Sequence, residues 1–284
     1  MRRLLVLLLL ATACSSKPAT TSTTVARGLV HVSALAFDGD GRLWAATADY
    51  ADSGDDAVYV IEGTTPHEVI NDVHTPLGLL WIDDTLYVSS KGGVVAHRGF
   101  DGSAFASSTT ILTLPDDVGE VNGLILGKDG RIRLDISLPC DHCTPTNKLS
   151  ATVVSFEHDG GDLRIDASGI RAAIAFAFDA DGHLLATENK RDDRDDPDTL
   201  AVVGGDVVAE LDPHAAVSGV AVLGTHAYVA EWAKGKLIDV DLATGKKSTV
   251  DVELENPVPV IADGKNAVLV GDWKTGIVHR VTVR

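Results

Sequence analysis

Residues 123–134 read GLILGKDGRIRL: a small residue, a short apolar strand, a turn containing Asp129-Gly130, and a second apolar strand. An Asp-Gly pair supplies the positive φ that a tight hairpin needs, so this stretch predicts two antiparallel strands. The pattern recurs along the chain, with copies that start at Ala34, Gly78, Gly123, Ala175, Gly219 and Val258. The starts are 44, 45, 52, 44 and 39 residues apart. This period is typical of the four-stranded blades of a β-propeller.

The copies predict an all-β fold, a six-bladed propeller over residues 27–284. The last copy has room for only three strands, near 257–262, 266–271 and 276–283. We expect the N-terminal segment near Ala26–Val32 to supply the fourth strand and close the ring, which leaves no long exposed edge. No segment carries a sustained 3.6-residue apolar period, so no long helix is expected.

Composition excludes some classes of partner. Hydrophobic residues make up 45% of the 284 residues but aromatic ones only 5%, so the core must consist mostly of aliphatic side chains. The formal net charge is −17 and the pI is near 4.8. Such a chain repels the phosphates of nucleic acids and has no electrostatic attraction to anionic lipid. We expect a monomer that does not bind nucleic acid.

The N-terminus has the features of an export signal. Arg2 and Arg3 precede an apolar run, and small residues lead to Cys14. Small residues directly before a cysteine resemble a bacterial lipobox, which predicts a lipoprotein signal peptide over residues 1–14 and lipidation of Cys14. An ordinary cleaved signal peptide is the alternative. Residues 15–26 have little to bury and read as a flexible tether. The predicted location is extracytoplasmic, with the membrane contacted only through the lipid anchor.

Cys140 and Cys143 form a Cys-x-x-Cys pair in the longest interval between copies. In a cytosolic chain such a pair is redox-active or half of a zinc site. A zinc site needs two further ligands at suitable spacing. Since the chain is predicted to be exported to an oxidising compartment, a small disulfide that locks the loop is the better interpretation.

Polar residues recur where each inner strand begins and after each second strand. In a propeller these two places meet at one face, around the mouth of the channel, where a polar ligand could bind. The candidates are His74, Glu120, Asn122, Arg171, Glu188, Asn189, His214 and Glu231. Each also has a structural interpretation: the histidines as hydrogen-bonding plugs, and Arg171 as the ion-pair partner of Glu120 or Glu188. Glu231-Trp232 and Asp272-Trp273 are equivalent, which favours an acid that anchors a loop and a Trp that caps a blade.

The order of motifs from Asn122-Gly123 through the Cys-x-x-Cys loop to Ser168-Gly169-Ile170-Arg171 resembles the glucose/sorbosone dehydrogenase family. The resemblance implies a propeller that holds pyrroloquinoline quinone and calcium and oxidises an aldose. It makes Glu120 and Arg171 the catalytic candidates, and Asn122, His74, His214, Glu188, Asn189 and Glu231 the cofactor-binding ones; no metal ligands are assigned. The chain departs from the family pattern: Glu120 stands where the catalytic His is expected, Ala172 replaces an Asn, and Ala233-Lys234-Gly235 lacks an Arg. These changes indicate a modified or lost reaction.

Two alternatives stay open. The first is a non-enzymatic propeller that uses the same mouth to bind a sugar or a protein. The second is a divalent-metal-dependent lactonase, since Asn122-Gly123 also resembles the metal-binding Asn-Gly of gluconolactonase-type propellers, with Glu120 as a further ligand. The small-molecule ligand is then a sugar or a lactone.

Overall fold

The structure is a computed structural model that describes residues 20–50 and 56–283. Six four-stranded antiparallel sheets account for the strands of these residues, and one short 3-10 helix, Trp232–Lys234, is the only helix among them. The prediction of an all-β six-bladed propeller is confirmed. Within the same described ranges, no helix is long and apolar enough to cross a membrane.

Blades 1 to 3 follow the predicted order, with the first strand of each innermost. Blade 1 consists of β2 (Val32–Phe37), β3 (Leu43–Thr47), β4 (Ala57–Glu62) and β5 (Thr65–Ile70). Blade 2 consists of β6 (Gly78–Ile82), β7 (Thr85–Ser90), β8 (Gly93–Phe100) and β9 (Phe105–Thr113). Blade 3 consists of β10 (Val121–Leu126), β11 (Ile132–Ile136), β12 (Thr152–Phe156) and β13 (Arg164–Ser168).

Blades 4 and 5 repeat this order, and blade 6 combines both ends of the chain. Blade 4 consists of β14 (Ala173–Phe178), β15 (Leu184–Glu188), β16 (Pro197–Val202) and β17 (Val207–Pro213). Blade 5 consists of β18 (Val217–Leu223), β19 (His226–Glu231), β20 (Lys236–Asp241) and β21 (Lys247–Thr249). Blade 6 consists of β22 (Pro257–Ala262), β23 (Ala267–Asp272), β24 (Ile277–Thr282) and, outermost, β1 (Thr21–Ala26).

The N-terminal strand closes the ring, as predicted, but it lies earlier in the chain than expected. β1 pairs antiparallel with β24 from Thr21 opposite Thr282 to Ala26 opposite Val278. Residues 21–26 therefore belong to the propeller and not to the tether predicted over residues 15–26. The reason is that an outermost strand buries little: three of its six residues are exposed and only Ala26 is buried, so its composition resembles a linker. Cys14 and residues 1–19 lie outside the described residues.

Hydroxyl side chains tie neighbouring blades together near the channel. Ser33 Oγ donates to Pro76 O at 2.6 Å, and Thr187 Oγ1 donates to Ser218 O at 2.6 Å. Two further bonds of this kind run from Ser89 to Asn122 O and from Ser218 to Pro257 O. Because each donor and its acceptor belong to successive blades, these bonds hold the inner strands at fixed spacing without bulky side chains.

The small residues of the inner strands stand where blades crowd, as the repeat predicted. A Cβ added to Gly219 would lie 2.3 Å from both Val258 O and Val260 N, which belong to the backbone of blade 6. The narrow channel that these strands line has a volume of about 100 Å³. A side chain at Gly219 therefore has no space unless two blades separate.

We expect Gly219→Ala to lower the free energy of unfolding by about 2–3 kcal/mol, the upper part of the range for overpacking. Gly39→Ala is the matched control, because no atom lies within 4 Å of a Cβ built at Gly39. Urea unfolding of both variants measures the difference. Equal stability of the two variants would contradict the close packing of blades 5 and 6.

Candidate functional site

A cavity of about 670 Å³ opens at the face where the inner strands begin. It spans blades 2 to 4. Thr75 and Lys91 flank the strands of blade 2, residues 115, 116 and 118–121 lead into blade 3, and Arg171 and Asn189 flank the strands of blade 4. We call it the mouth pocket. Its charged and polar lining residues are Thr75, Lys91, Asp116, Glu120, Ser137, Arg171 and Asn189. The topology thus brings three of the predicted site residues together: Glu120, Arg171 and Asn189.

Glu120 stands at the entrance of blade 3, directly before β10. Its backbone carbonyl accepts from Ser137 N at 3.0 Å, which ties the start of the first strand to the end of the second. The side chain is open to the pocket, but the walls of this concave mouth remove much of the bulk water around it. This desolvation raises the pKa of the Glu120 carboxyl, while the positive charge of Arg171 opposes the rise. Glu120 is therefore a carboxyl whose proton is held more tightly than in water.

Tyr50 is a neighbour of Glu120 that the sequence analysis missed. It follows the second strand of blade 1, its side chain is 48% exposed, and its φ is 59°. Desolvation and the negative charges of Glu120 and Asp56 raise the pKa of the Tyr50 phenol, which therefore stays protonated as a hydrogen-bond donor. The loop position equivalent to Asn189 and Trp232 is Ala48, because Thr47, Glu188 and Glu231 end the matching strands. Tyr50 lies two residues farther along, so the repeat gave no signal for it.

Arg171 stands at the entrance of blade 4 and holds the Cys-x-x-Cys loop. Its Nε donates to Asp141 O at 3.0 Å, and Nη2 forms an ion pair with the Asp141 carboxylate. Nη1 donates to Asn189 O at 3.3 Å. The sequence predicts an ion pair of Arg171 with Glu120 or Glu188. The partner is Asp141, because the loop between β11 and β12 folds back over the blade entrance.

Glu188 and Asn189 have different surroundings although they are adjacent. Glu188 Oε1 accepts from Arg171 N at 3.1 Å, and Oε2 accepts from Lys190 Nζ at 2.6 Å. Glu188 is thus an anchor for the loop that enters blade 4. Asn189 lines the mouth pocket, and its side-chain oxygen has no hydrogen-bond partner among the described residues. Of the two, Asn189 is the residue whose side-chain oxygen lacks a partner, and that oxygen is buried.

Asn122 lies inside blade 3 and not in the pocket. It is fully buried, and its Nδ2 donates to Asp135 Oδ2 at 3.0 Å and to Ser137 Oγ at 2.7 Å. Ser137 Oγ donates to the same Asp135 oxygen at 2.8 Å. Burial raises the pKa of Asp135 to about 7, although the hydrogen bonds from Asn122 and Ser137 oppose the rise. The network uses Asn122 Nδ2, whereas Asn122 Oδ1 has no hydrogen-bond partner among the described residues. Asn122 is not among the residues that line the mouth pocket.

Three other candidates do not line the pocket. His74 is exposed beside the lining residue Thr75, and its carbonyl accepts from Lys91 N. His214 Nε2 lies 3.2 Å from Asp195 Oδ1 at the entrance of blade 5. Glu231 is fully buried, and its Oε1 accepts from Asp212 N at 3.2 Å. The structure therefore does not place these residues around one ligand with Glu120.

The carboxylates after the second strands of blades 4, 5 and 6 share one structural role. Glu188, Glu231 and Asp272 each accept a backbone N–H from the chain that leads into the same blade. The donors to Glu188 and Asp272 are in the entering loops, with Glu255 N 2.6 Å from Asp272, whereas the donor to Glu231 is Asp212 N in β17 of the preceding blade. Trp273 stacks on His31 with ring centroids 4.1 Å apart and donates from Nε1 to Ala48 O. Anchoring by the acid and capping by the Trp agree with the structural interpretation of these repeated dipeptides.

One group of possible metal ligands exists within the described ranges, and it lies far from the mouth. Asp179, Asp181 and His183 surround the turn between β14 and β15, at the opposite end of the strands. His183 Nδ1 is already 2.8 Å from Asp179 Oδ2, and two of the three residues are exposed. The turn geometry explains this cluster without an ion.

Cys140 and Cys143 are bonded to each other, which confirms the predicted disulfide. The bond lies at the rim of the mouth pocket, since Cys140 lines it. The loop that contains the bond follows β11 and is fixed at its start by Leu138 N, which donates to Arg171 O at 2.8 Å. The insertion that lengthens the third repeat therefore forms one wall of the pocket.

No protein-family model and no curated protein matches the chain. Among solved structures, the chain is similar to the PQQ-bound form of aldose sugar dehydrogenase from Streptomyces coelicolor, with 17% identity, a TM-score of 0.75, and 93% of this chain and 98% of that chain covered. It is similar to the PQQ domain of pyranose dehydrogenase from Coprinopsis cinerea, with 13% identity, a TM-score of 0.76, and 94% and 96% covered. It is also similar to the calcium structure of a Trichoderma reesei AA12 carbohydrate-active enzyme, with 14% identity, a TM-score of 0.75, and 94% of this chain and 96% of that chain covered.

At these identities the likeness concerns the fold, and it extends over nearly the whole of each chain. It does not transfer the cofactors of those proteins to this chain. The chain is a six-bladed β-propeller structurally similar to sugar dehydrogenases that bind pyrroloquinoline quinone.

Proposed function

We propose that the mouth pocket binds a neutral sugar or sugar lactone, with Glu120 as its central hydrogen-bonding group. The observation that carries the proposal is the convergence of Glu120, Arg171 and Asn189 in one 670 Å³ cavity. A volume of this size suits a small molecule, and a few convergent polar groups in a cavity are what fix its orientation. The fold, which the chain shares with sugar dehydrogenases, supports the choice of ligand class.

The bonding capacity of the pocket matches hydroxyl groups. An ionised Glu120 accepts hydrogen bonds from two adjacent hydroxyls. Tyr50 lies near Glu120 but is not one of the residues that line the pocket. The Asn189 amide adds a group that can both donate and accept hydrogen bonds, and its oxygen lacks a partner among the described residues. Hydroxyl groups both donate and accept, so a polyhydroxylated ligand satisfies these groups without bringing a charge into the pocket.

Pyrroloquinoline quinone does not fit the charges of this pocket. The quinone carries three carboxylates, which need cations that are not already neutralised. Of the described residues that line the pocket, the two cations Lys91 and Arg171 face the two acids Asp116 and Glu120. Arg171 is in addition paired with Asp141. A bound trianion would meet unmatched negative charge, so we derive no hydride transfer through this cofactor and propose a sugar-binding propeller instead of a quinone-dependent dehydrogenase.

The location outside the cytoplasm is part of the same proposal. An exported chain held by a lipid on Cys14 would place the mouth in contact with free sugars. The net charge of −17 is compatible with a monomer that stays dispersed at the membrane surface. These features come from the sequence and await a direct test of lipidation by mass spectrometry.

The ligand class is tested by isothermal titration of the full chain with a panel of aldoses and aldonolactones. A parallel titration uses pyrroloquinoline quinone with calcium, followed by dye reduction in the presence of aldoses. We expect saturable binding of at least one sugar or lactone and no binding of the quinone. Quinone binding with dye reduction would overturn the assignment, and so would a panel in which nothing binds.

A further inference from the structure

The Cys140–Cys143 pair has features that a purely structural disulfide does not need. Cys140 is exposed and Cys143 is half-buried, so solvent reaches the bond. Cys140 also lines the mouth pocket, so a small molecule in the pocket lies beside this residue. Structural disulfides are usually protected from exchange, whereas exposed ones are the labile ones.

The loop is also held without the disulfide. Arg171 bonds both the carbonyl and the carboxylate of Asp141, and Asp192 N donates to Asp141 Oδ1 at 3.2 Å. Farther along, Asn147 Nδ2 donates to Asp117 Oδ1 at 2.8 Å. The disulfide closes a ring of only a few residues, and such a short ring restricts the unfolded chain little. Opening the bond therefore leaves both sides of the loop attached to the propeller.

The surroundings of Cys140 suit a thiolate. Cys143 N donates to Cys140 Sγ at 2.9 Å, so a backbone donor is already directed at this sulfur. In the sequence between the two cysteines, His142 Nδ1 lies 3.2 Å from Asp141 Oδ2, and the Arg171 guanidinium is bonded to the same Asp141. A donor directed at the sulfur favours the ionised form of a cysteine, which is the nucleophile and leaving group of thiol exchange. The negative charge of Asp141 is offset by its pairing with Arg171.

We propose that Cys140–Cys143 is a thiol–disulfide exchange site for a small thiol that reaches Cys140 from the mouth pocket. The thiolate of the small molecule attacks Cys140 Sγ, the Cys140–Cys143 bond breaks, and Cys143 leaves as a thiolate that takes a proton from water. A second thiolate attacks the sulfur of the bound small molecule and releases Cys140. Two thiols are oxidised to one disulfide, and the cysteine pair is reduced to two thiols.

The first test uses the unaltered pair in the full chain carrying Cys14→Ser, so that no third thiol interferes. The protein is equilibrated in mixtures of reduced and oxidised glutathione, quenched in acid, alkylated and analysed by mass spectrometry. We expect reversible passage between the disulfide and the dithiol across these mixtures, with the melting temperature changed by only a few degrees. A pair that stays oxidised in every mixture while the protein is folded would overturn the proposal.

The second test separates the roles of the two sulfurs. In the same Cys14→Ser background, Cys143→Ser leaves Cys140 as the only thiol, which can attack oxidised glutathione, and Cys140→Ser leaves only Cys143. With oxidised glutathione, we expect Cys143→Ser to accumulate at least about tenfold more mixed disulfide than Cys140→Ser at early times. Equal amounts on the two variants would contradict the assignment of Cys140 as the exchanging cysteine. Sugar binding is read separately by titration, so failure of either proposal leaves the other testable.

Discussion

Deletion of residues 1–26 is expected to lower the melting temperature by about 10 °C or more. The deletion removes β1, which pairs with β24 at five positions and buries Ala26. At about 1 kcal/mol for each lost backbone hydrogen bond, the cost is about 5 kcal/mol. In a chain of this size 1 kcal/mol corresponds to about 2–4 °C. The exposed edge of β24 would also offer unpaired backbone groups to other molecules and promote aggregation.

Deletion of residues 1–19 is the matched control, because it leaves all of β1 in place. Calorimetry of the two truncated chains under the same conditions isolates the contribution of the closing strand. If both truncations melt at the same temperature, the ring does not depend on β1 for closure.

The second large effect concerns the buried carboxyl of Asp135. Its pKa is raised by burial from 3.8 to about 7, so the folded protein keeps a proton that the unfolded chain releases above pH 4. The proton held by Asp135 in the folded state thus contributes to the free energy of unfolding. The contribution is fully present below about pH 4 and is lost as the pH rises to about 7. A rise of about three pKa units corresponds to roughly 4 kcal/mol. Asp135→Asn removes the titration while its side-chain oxygen can still accept from Asn122 and Ser137.

We therefore expect the free energy of unfolding of the wild type to fall, relative to that of Asp135→Asn, as the pH rises from 4 to 8. The expected change in the difference between the two proteins is up to roughly 4 kcal/mol. The measurement is denaturant unfolding at intervals between pH 4 and pH 8. Asp206→Asn makes the same substitution at an exposed position and is the control. Parallel curves for all three proteins would show that Asp135 is ionised at neutral pH in the folded state.

The fold could be predicted because its information is local and repeated. Each inner strand and its hairpin turn were recognisable from a dozen residues, and the spacing of the copies indicated the number of blades. The closing strand was placed too late in the chain because Thr21–Ala26 is polar, as an outermost strand can be. A solvent-facing strand and a flexible linker share the same composition, and only the pairing with β24 distinguishes them.

The site was predictable only as far as topology determines it. Strand order alone brought Glu120, Arg171 and Asn189 to one pocket. The pairing of Arg171 with Asp141 depends on how an irregular loop folds back, which no periodic pattern encodes. Asn122 is buried beside Asp135 because both side chains point to the same interior side of blade 3. The sequence around Asn122 did not indicate to which side its side chain points.

The most direct test of the account compares wild type, Glu120→Gln and Glu68→Gln by isothermal titration with the sugar or lactone that binds best. Gln keeps the size of Glu120 but removes the charge that accepts two hydroxyl bonds, and Glu68 is an exposed carboxylate on the outer strand of blade 1. We predict that Glu120→Gln weakens binding at neutral pH by at least about tenfold, since a charged hydrogen bond contributes about 1.5–3 kcal/mol, whereas Glu68→Gln leaves it unchanged. Unchanged affinity in Glu120→Gln would contradict the account, because the ligand would then bind elsewhere than in the mouth pocket.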